Sequence, residues 1–208
     1  VAAGRASVSV DEVVLDAIAA GTTEHHAGLM AALPLVLGSA RPSLDQSPQE
    51  RRADAVELAS ATPTLLASLH ARRIGRSPST PDPGLSHAAD WLRMATGTES
   101  APEQVRLMET YLLATIDHGF NNSTFATRVV ASTGADLASC VMAGFASLSG
   151  PRHGANLERI LDMLDAVGTP DRAEDWMRTE IAERRRLQGF GHSVYRSPDP
   201  RLVLMREH

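Results

Sequence analysis

The stretch NNSTFATRVVASTGADLASCVMAGFASLSG, residues 121–150, decides the fold class of this chain. Asn and Ser residues at 121–123 are of the kind that caps helix N-termini, so the stretch predicts one long helix over residues 124–148, ended by Gly150-Pro151. Because small side chains let helix axes approach closely, we expect this helix to be buried against another, from the same chain or from a second subunit. Its small face is Ala131, Ala135, Ser139 and Ala143, and its bulky face is Leu137, Val141, Phe145 and Leu148.

The composition also favours helices. Of the 208 residues, 43% are hydrophobic, but 31 of these are alanine, and aromatic residues make up only 4%. Ala, Leu, Arg and Glu are strong helix formers, whereas the β-branched and aromatic residues typical of strands are sparse. We therefore predict an all-α protein whose core is built from closely packed helices.

Helix caps and breakers predict further helices on both sides of residues 121–150. A capping-box pattern, Ser100-x-x-Glu103 with Pro102 between, is typical of a helix start, and no alternating strand pattern is present. The predicted helices cover residues 11–20, 27–37 with a break at Pro34, 49–61, 62–73, 86–96, 103–116, 157–167 and 171–182.

Several classes of protein are excluded by composition. The net charge of −5 and the absence of lysine argue against a nucleic-acid-binding surface and against Schiff-base chemistry. A single cysteine, Cys140, forms neither a disulfide framework nor a Cys-based zinc site. With no apolar run of about 18 residues and no secretory leader, we expect a cytoplasmic protein without a membrane partner. Because the chain starts at Val1 and stops within a helical pattern, we expect it to be a fragment.

Three histidines lie where the chain bends beside glycine. His118 follows a predicted helix C-terminus, where the helix dipole favours a cation. His153 precedes a predicted helix N-terminus, which favours a neutral ring that can donate a hydrogen bond to a developing enolate. His192 follows Gly189-Phe190-Gly191. The alternative reading is that each is a solvated loop histidine.

Three ordered motifs resemble the citrate synthase family. Residues 117–133, DHGFNNSTFATRVVAST, resemble the segment that carries the family's substrate histidine. GPRHG, residues 150–154, is similar to its GPLHGG turn. GFGHSVYR, residues 189–196, with DPR at 199–201, resembles its GFGHRVY and DPR signature. The clear resemblance covers about residues 103–206.

The resemblance implies an all-α homodimer in which each subunit has a large and a small domain. Residues 1–155 would form part of the large domain, and residues 156–208 an incomplete small domain. The family is an acyltransferase family that condenses acetyl-CoA with oxaloacetate to citrate in the tricarboxylic acid cycle. Close relatives use propionyl-CoA and make 2-methylcitrate. No metal and no cofactor are implied, since the acyl-CoA is a co-substrate.

The resemblance also implies roles for individual residues. His153 would stabilise the enol or enolate of the acyl-CoA, and His192 would polarise the oxaloacetate carbonyl that is attacked. Oxaloacetate would be bound by His118, His192 and Arg201, and Asn121 and Ser123 would support the site. The predicted CoA-binding residues are Gln188, Gly189, Phe190, Gly191 and Arg196.

The chain departs from the family pattern at Gly119, Arg152 and Ala155. The family's catalytic Asp and two further substrate arginines lie beyond the DPR motif, outside this sequence. We therefore expect the chain alone not to turn over, because a general base contributes about 10²–10⁴ in rate. Two alternatives stay open: a non-catalytic module that dimerises or binds CoA, and an unrelated helical bundle with structural histidines.

Overall fold

The computed structural model describes residues 4–5, 10–37, 41–117, 119–154, 156–190 and 197–206. Every regular element in these ranges is helical, as the composition predicts, and none is both long and apolar enough to cross a lipid bilayer. The helices are α1 (Glu12–Gly21), α2 (His25–Val36), α3 (Pro48–Arg73), α4 (His87–Thr96), α5 (Pro102–Thr115), α6 (Asn122–Ala131), α7 (Leu137–Leu148), α8 (Asn156–Val167), α9 (Ala173–Ala182) and α10 (Pro200–Met205), with single 3₁₀ turns at Ser43–Asp45 and Pro170–Arg172.

The hydrophobic core lies where α1, α2, α3 and α7 meet. α3 is its centre, because it packs against α1, α2, α4 and α7. The buried side chains are aliphatic and small, as expected from the shortage of aromatic residues. They are Leu15, Leu29, Ala32, Leu33, Leu58, Ala61, Leu65, Leu69 and Ala138.

α3 is one continuous helix, so the prediction of two helices meeting at Thr62-Pro63 is wrong. Proline removes a backbone donor and crowds the preceding turn, which destabilises a helix interior. Here the apolar stripe continues across Pro63, with Leu58 and Leu65 both buried in the core. Burial of side chains on both sides of the proline therefore stabilises the helix enough for it to continue past Pro63. α2 passes through Pro34 in the same way, beside the fully buried Leu33.

The predicted single helix over 124–148 is also wrong, because the structure has two helices, α6 and α7. The chain leaves α6 after Ala131 and passes through Gly134, whose φ of 79° is in the left-handed region that favours glycine. Asp136 then caps α7, and its side chain accepts a hydrogen bond from the Ser139 N–H at 2.9 Å. The two helices pack against each other, and Gly144 of α7 faces Thr127 of α6.

The start of α5 differs from its predicted cap. Ala101, not Ser100, is the N-cap, and Glu103 is not the residue that reaches back. Instead the Gln104 side chain accepts a hydrogen bond from the Ala101 N–H at 2.9 Å. α9 also begins later than predicted, at Ala173, because residues 170–172 form a 3₁₀ turn. α1, α4 and α8 lie within two residues of their predicted positions.

α10 packs against α5, so the segment that carries the DPR motif lies beside the helix that leads into Asp117. This contact joins residues on either side of position 155. The division into a large domain, 1–155, and a small domain, 156–208, stays a prediction.

A buried ion pair ties the N-terminal segment to α4. Arg5 is 1% exposed and Asp90 is fully buried, and the Arg5 Nε lies 3.0 Å from the Asp90 carboxylate. Arg93 and the Asp82 N–H donate to the other carboxylate oxygen at 2.8 and 3.1 Å. The Arg5 Nη1 lies 3.1 Å from the His87 Nδ1. Removing one member of such a network leaves a buried charge without its partner, which is strongly destabilising.

The ionisation of these groups follows from their surroundings. Burial lowers the pKa of His87 from its usual 6.5, and the positive charge of Arg5 lowers it further. Burial alone would raise the pKa of Asp90. Hydrogen bonds from Arg93, the Asp82 backbone and Arg5 outweigh burial and hold the pKa of Asp90 below its usual 3.8.

We predict that protonation of His87 weakens the fold in acid. Because the unfolded chain binds a proton at His87 more tightly than the folded chain does, this contribution is present above pH 6.5 and is lost as the pH falls through the lowered folded pKa. Urea unfolding of the wild type and of His87→Asn from about pH 7 to about pH 5 checks this. We expect the free energy of unfolding of the wild type to fall more steeply than that of the variant, and equal slopes would contradict it.

Candidate active site

His153 lies in a turn that follows the C-terminus of α7. The turn is closed by backbone hydrogen bonds from the Gly150 N–H to the Ser147 carbonyl at 3.2 Å and from the His153 N–H to the Gly150 carbonyl at 2.9 Å. The half-buried imidazole makes a short hydrogen bond through Nε2 to the hydroxyl of Ser123, in the first turn of α6. The structure thus joins the first motif directly to the second.

The contact between Ser123 and His153 depends on how closely α6 and α7 approach. Gly144, which is buried in α7, faces Thr127 of α6. A Cβ atom at position 144 would lie 2.6 Å from the Thr127 Oγ1 and 3.8 Å from the Ser123 carbonyl oxygen. A glycine here therefore allows the first turn of α6 to reach the turn that carries His153.

Asn121 holds the chain where it enters α6. Its side-chain oxygen accepts a hydrogen bond from the Thr124 N–H at 3.0 Å, so it is the N-cap of the helix. Just upstream, the Asp117 carboxylate accepts from the Gly119 N–H at 2.8 Å, and Gly119 has a φ of 63°. The departure from the family at position 119 thus fits a left-handed backbone that glycine adopts without strain. His118 itself lies outside the described residues.

An open cavity of about 470 Å³ borders this loop. It lies between the end of α5 and one face of α6, and it mixes polar and apolar side chains. Its lining residues are Thr115, Ile116, Asp117, Gly119, Phe120, Asn121, Thr124 and Arg128.

Arg128 is a residue of this cavity that sequence analysis did not single out. Its guanidinium lies 5.3 Å from the centre of the Phe120 ring, and Phe120 packs edge-on against Phe125 with ring centres 5.7 Å apart. The signal in the sequence was helical spacing. Thr124 and Arg128 follow Asn121 by three and seven residues, which places all three on one face of α6.

Arg201 lies in the first turn of α10. Asp199 caps that helix, accepting from the Arg201 N–H at 2.9 Å. The same carboxylate receives the Arg201 guanidinium, at 3.0 Å from Nε and 2.6 Å from Nη2. This two-point contact holds the arginine fork in one orientation.

The predicted CoA-binding loop is described only in part. Gln188 donates a hydrogen bond to the Arg186 carbonyl at 3.3 Å, Gly189 has a φ of 76°, and the Phe190 side chain is 61% exposed. Arg184, before the loop, has a φ of 56°, a strained value for a residue with a Cβ. Gly191, His192 and Arg196 lie outside the described residues.

The structure therefore brings together Ser123 and His153, and it places the helix of Arg201 against α5. The meeting of His118, His153 and His192 around one ligand stays a prediction, as do the roles of the individual site residues.

Comparison with known proteins identifies the class. The sequence profile of the family described as citrate synthase, C-terminal domain, matches residues 2–208 of this chain. The chain belongs to the citrate synthase family, as the three motifs predict.

Named relatives include both expected activities. The chain is 35% identical over 164 residues to the citrate synthase of Deinococcus radiodurans, a match that covers 79% of this chain and 44% of that protein. It is 34% identical over 203 residues to the 2-methylcitrate synthase of Mycobacterium tuberculosis strain H37Rv, covering 97% and 51%. The chain thus spans about half the length of the curated relatives it matches.

Solved structures share the helical fold. The citrate synthase of Thermoplasma acidophilum, solved as a ternary complex with carboxymethyl coenzyme A and oxaloacetate, superposes with a TM-score of 0.84 at 28% identity. The match covers 96% of this chain and 53% of that one. The citrate synthase of Thermotoga maritima MSB8 gives 0.74 at 29% identity, covering 99% and 55%.

We predict that filling the space at Gly144 disturbs the site. In Gly144→Ala the added methyl group would overlap the Thr127 hydroxyl, and overpacking of this kind costs about 1–3 kcal/mol in the free energy of unfolding. Adding Thr127→Ala should restore most of the loss. Gly21→Ala is the control, because no atom lies within 4 Å of a Cβ there. Urea unfolding measures all four proteins, and an unchanged Gly144→Ala would contradict the close-approach argument.

Proposed function

We propose that the protein containing this chain condenses an acyl-CoA with oxaloacetate, releasing CoA and a tricarboxylate. The observation that supports this most is the hydrogen bond between Ser123 and His153, because it gives the proposed enolate-binding histidine a defined orientation. Family membership supports the same reaction. The proposed co-substrate is acetyl-CoA or propionyl-CoA, with no cofactor and no metal, and the proposed location is the cytoplasm.

The orientation of His153 suggests how it acts. If the Ser123 hydroxyl donates to Nε2, the imidazole is neutral with its proton on Nδ1. The Nδ1–H is then the donor that stabilises the thioester oxygen as negative charge develops there. Ser123 is in this proposal a positioning residue, since its hydroxyl holds the imidazole in one orientation.

The remaining steps follow the chemistry of the resemblance. A base removes a proton from the α-carbon of the acyl group, and by the resemblance this base is the Asp beyond the DPR motif. The enol carbon attacks the carbonyl carbon of oxaloacetate, forming the new C–C bond, while the former carbonyl oxygen takes a proton from His192. Water then hydrolyses the thioester and CoA leaves as the thiol. His118 and Arg201 would hold the oxaloacetate carboxylates, and residues 188–191 with Arg196 would bind CoA.

The test is a thiol-release assay on the whole protein, with oxaloacetate and either acetyl-CoA or propionyl-CoA. We expect His153→Ala to lower kcat by about 10²–10³, the usual loss for one donor to a developing oxyanion. Ser123→Ala should lower kcat by less, about tenfold, because the ring stays but its orientation is no longer held.

Ser132→Ala is the matched control, because the Ser132 hydroxyl donates to the Val129 carbonyl at the exposed C-terminal end of α6 and not to His153. If the protein releases thiol from neither acetyl-CoA nor propionyl-CoA, the proposal is contradicted and a non-catalytic module is favoured. The ratio of kcat/KM values for the two donors decides between citrate and 2-methylcitrate as the product.

We also propose that the protein is a homodimer, as the resemblance implies. Large apolar side chains exposed on and just after α5 and on α6 support this, because exposed apolar surface is typical of subunit interfaces. Leu113 and Ile116 are 69% and 83% exposed, and Phe125 and Val129 are 55% and 49% exposed.

Sedimentation equilibrium of the whole protein tests the dimer. We expect twice the subunit mass, and we expect Val129→Asp to raise the dimer dissociation constant by burying a charge at the interface. A monomeric mass for the wild type at micromolar concentration would contradict the proposal. Val56→Asp is a control on α3, where the side chain is exposed to a similar extent, 45%.

A further inference from the structure

Arg128 carries a positive charge that the described part of the chain leaves uncompensated. None of the ion pairs among the described residues involves it, and its contact is with the face of the Phe120 ring at 5.3 Å. Arg201 differs, because Asp199 engages its guanidinium at two points. The charge of Arg128 is therefore available to an anion.

Arg128 is exposed at the edge of the cavity, and its guanidinium lies over the ring of Phe120, which is 64% exposed. Stacking over an aromatic ring restricts the guanidinium plane while leaving its edge N–H groups open to an acceptor. Phe120 is in turn packed edge-on against Phe125, so the ring under Arg128 has a second aromatic contact. A guanidinium held in this way suits two-point binding of a carboxylate.

The cavity beside Arg128 has the size and polarity for a small acid. Its volume of about 470 Å³ is within the range of small-molecule sites, about 300–1,000 Å³. Asn121 uses its side-chain oxygen for the helix cap, which leaves its amide N–H groups for a ligand. Asp117 is the acidic group of the lining, so a bound carboxylate is favoured at the Arg128 side and disfavoured near Asp117.

We propose that Arg128 binds one carboxylate of the dicarboxylate substrate in this cavity, as an additional substrate-binding residue of the site. The inference rests on the proposed function, because oxaloacetate is the dicarboxylate of that reaction. It adds a cation to the substrate arginines that the resemblance implies.

The experiment measures oxaloacetate binding and steady-state kinetics of the whole protein. In Arg128→Gln we expect the dissociation constant and the KM for oxaloacetate to rise about tenfold, the loss of one charge-assisted contact, with the KM for acyl-CoA unchanged. The dissociation constant and KM of Arg128→Lys for oxaloacetate should lie between those of the wild type and Arg128→Gln, since lysine keeps the charge but not the planar two-point donor. Phe120→Leu should weaken oxaloacetate binding less, by removing the ring that holds the guanidinium.

Arg106→Gln is the matched control, because this exposed arginine of α5 pairs with Glu103 and does not line the cavity. If the wild type binds oxaloacetate and releases thiol but Arg128→Gln binds it equally well, the inference is overturned and the proposed function stands. If Arg128→Gln raises the KM values for both oxaloacetate and acyl-CoA and also lowers the melting temperature, Arg128 is a structural residue and the inference also fails. A wild type that neither binds oxaloacetate nor releases thiol overturns both.

Discussion

The close approach of α6 and α7 is the constraint on which the candidate site depends. Gly144 has no side chain to keep the helices apart, so Thr127 packs directly over it and the first turn of α6 comes within reach of the turn after α7. The hydrogen bond between Ser123 and His153 follows from that approach. Two motifs separated by about thirty residues thus become one structural unit, because a hydrogen bond tolerates only a few tenths of an ångström of displacement.

Charge is distributed unevenly around this unit. Arg5 and Arg201 pair with carboxylates of their own chain, and for Arg201 the pair with Asp199 fixes the orientation of the guanidinium. Arg128 instead lies on an aromatic face at the edge of a cavity. These three arginines thus differ in whether a carboxylate of the same chain pairs with them.

The errors of the sequence analysis have two physical causes. Pro63 predicts a break, but the local cost of proline is smaller than the gain from burying Leu58 and Leu65 in the same core, so α3 stays continuous. Gly134 lies in a run that reads as one helix, and what ends the helix is the left-handed turn there together with the cap at Asp136. Burial thus overrode a local preference at Pro63, whereas local turn and cap geometry ended the helix before Gly134.

By itself the sequence determined the all-α class, most of the helices and the family, because composition, caps and the three motifs can be read from residues that are close together along the chain. It also pointed to Ser123 and His153 as members of a site. Only the tertiary structure decided that these two side chains touch, that residues 121–148 form a packed pair of helices, and that Arg128 borders a cavity. Those facts depend on how closely neighbouring helices approach, and that distance is set by side-chain packing between the helices rather than by any one segment.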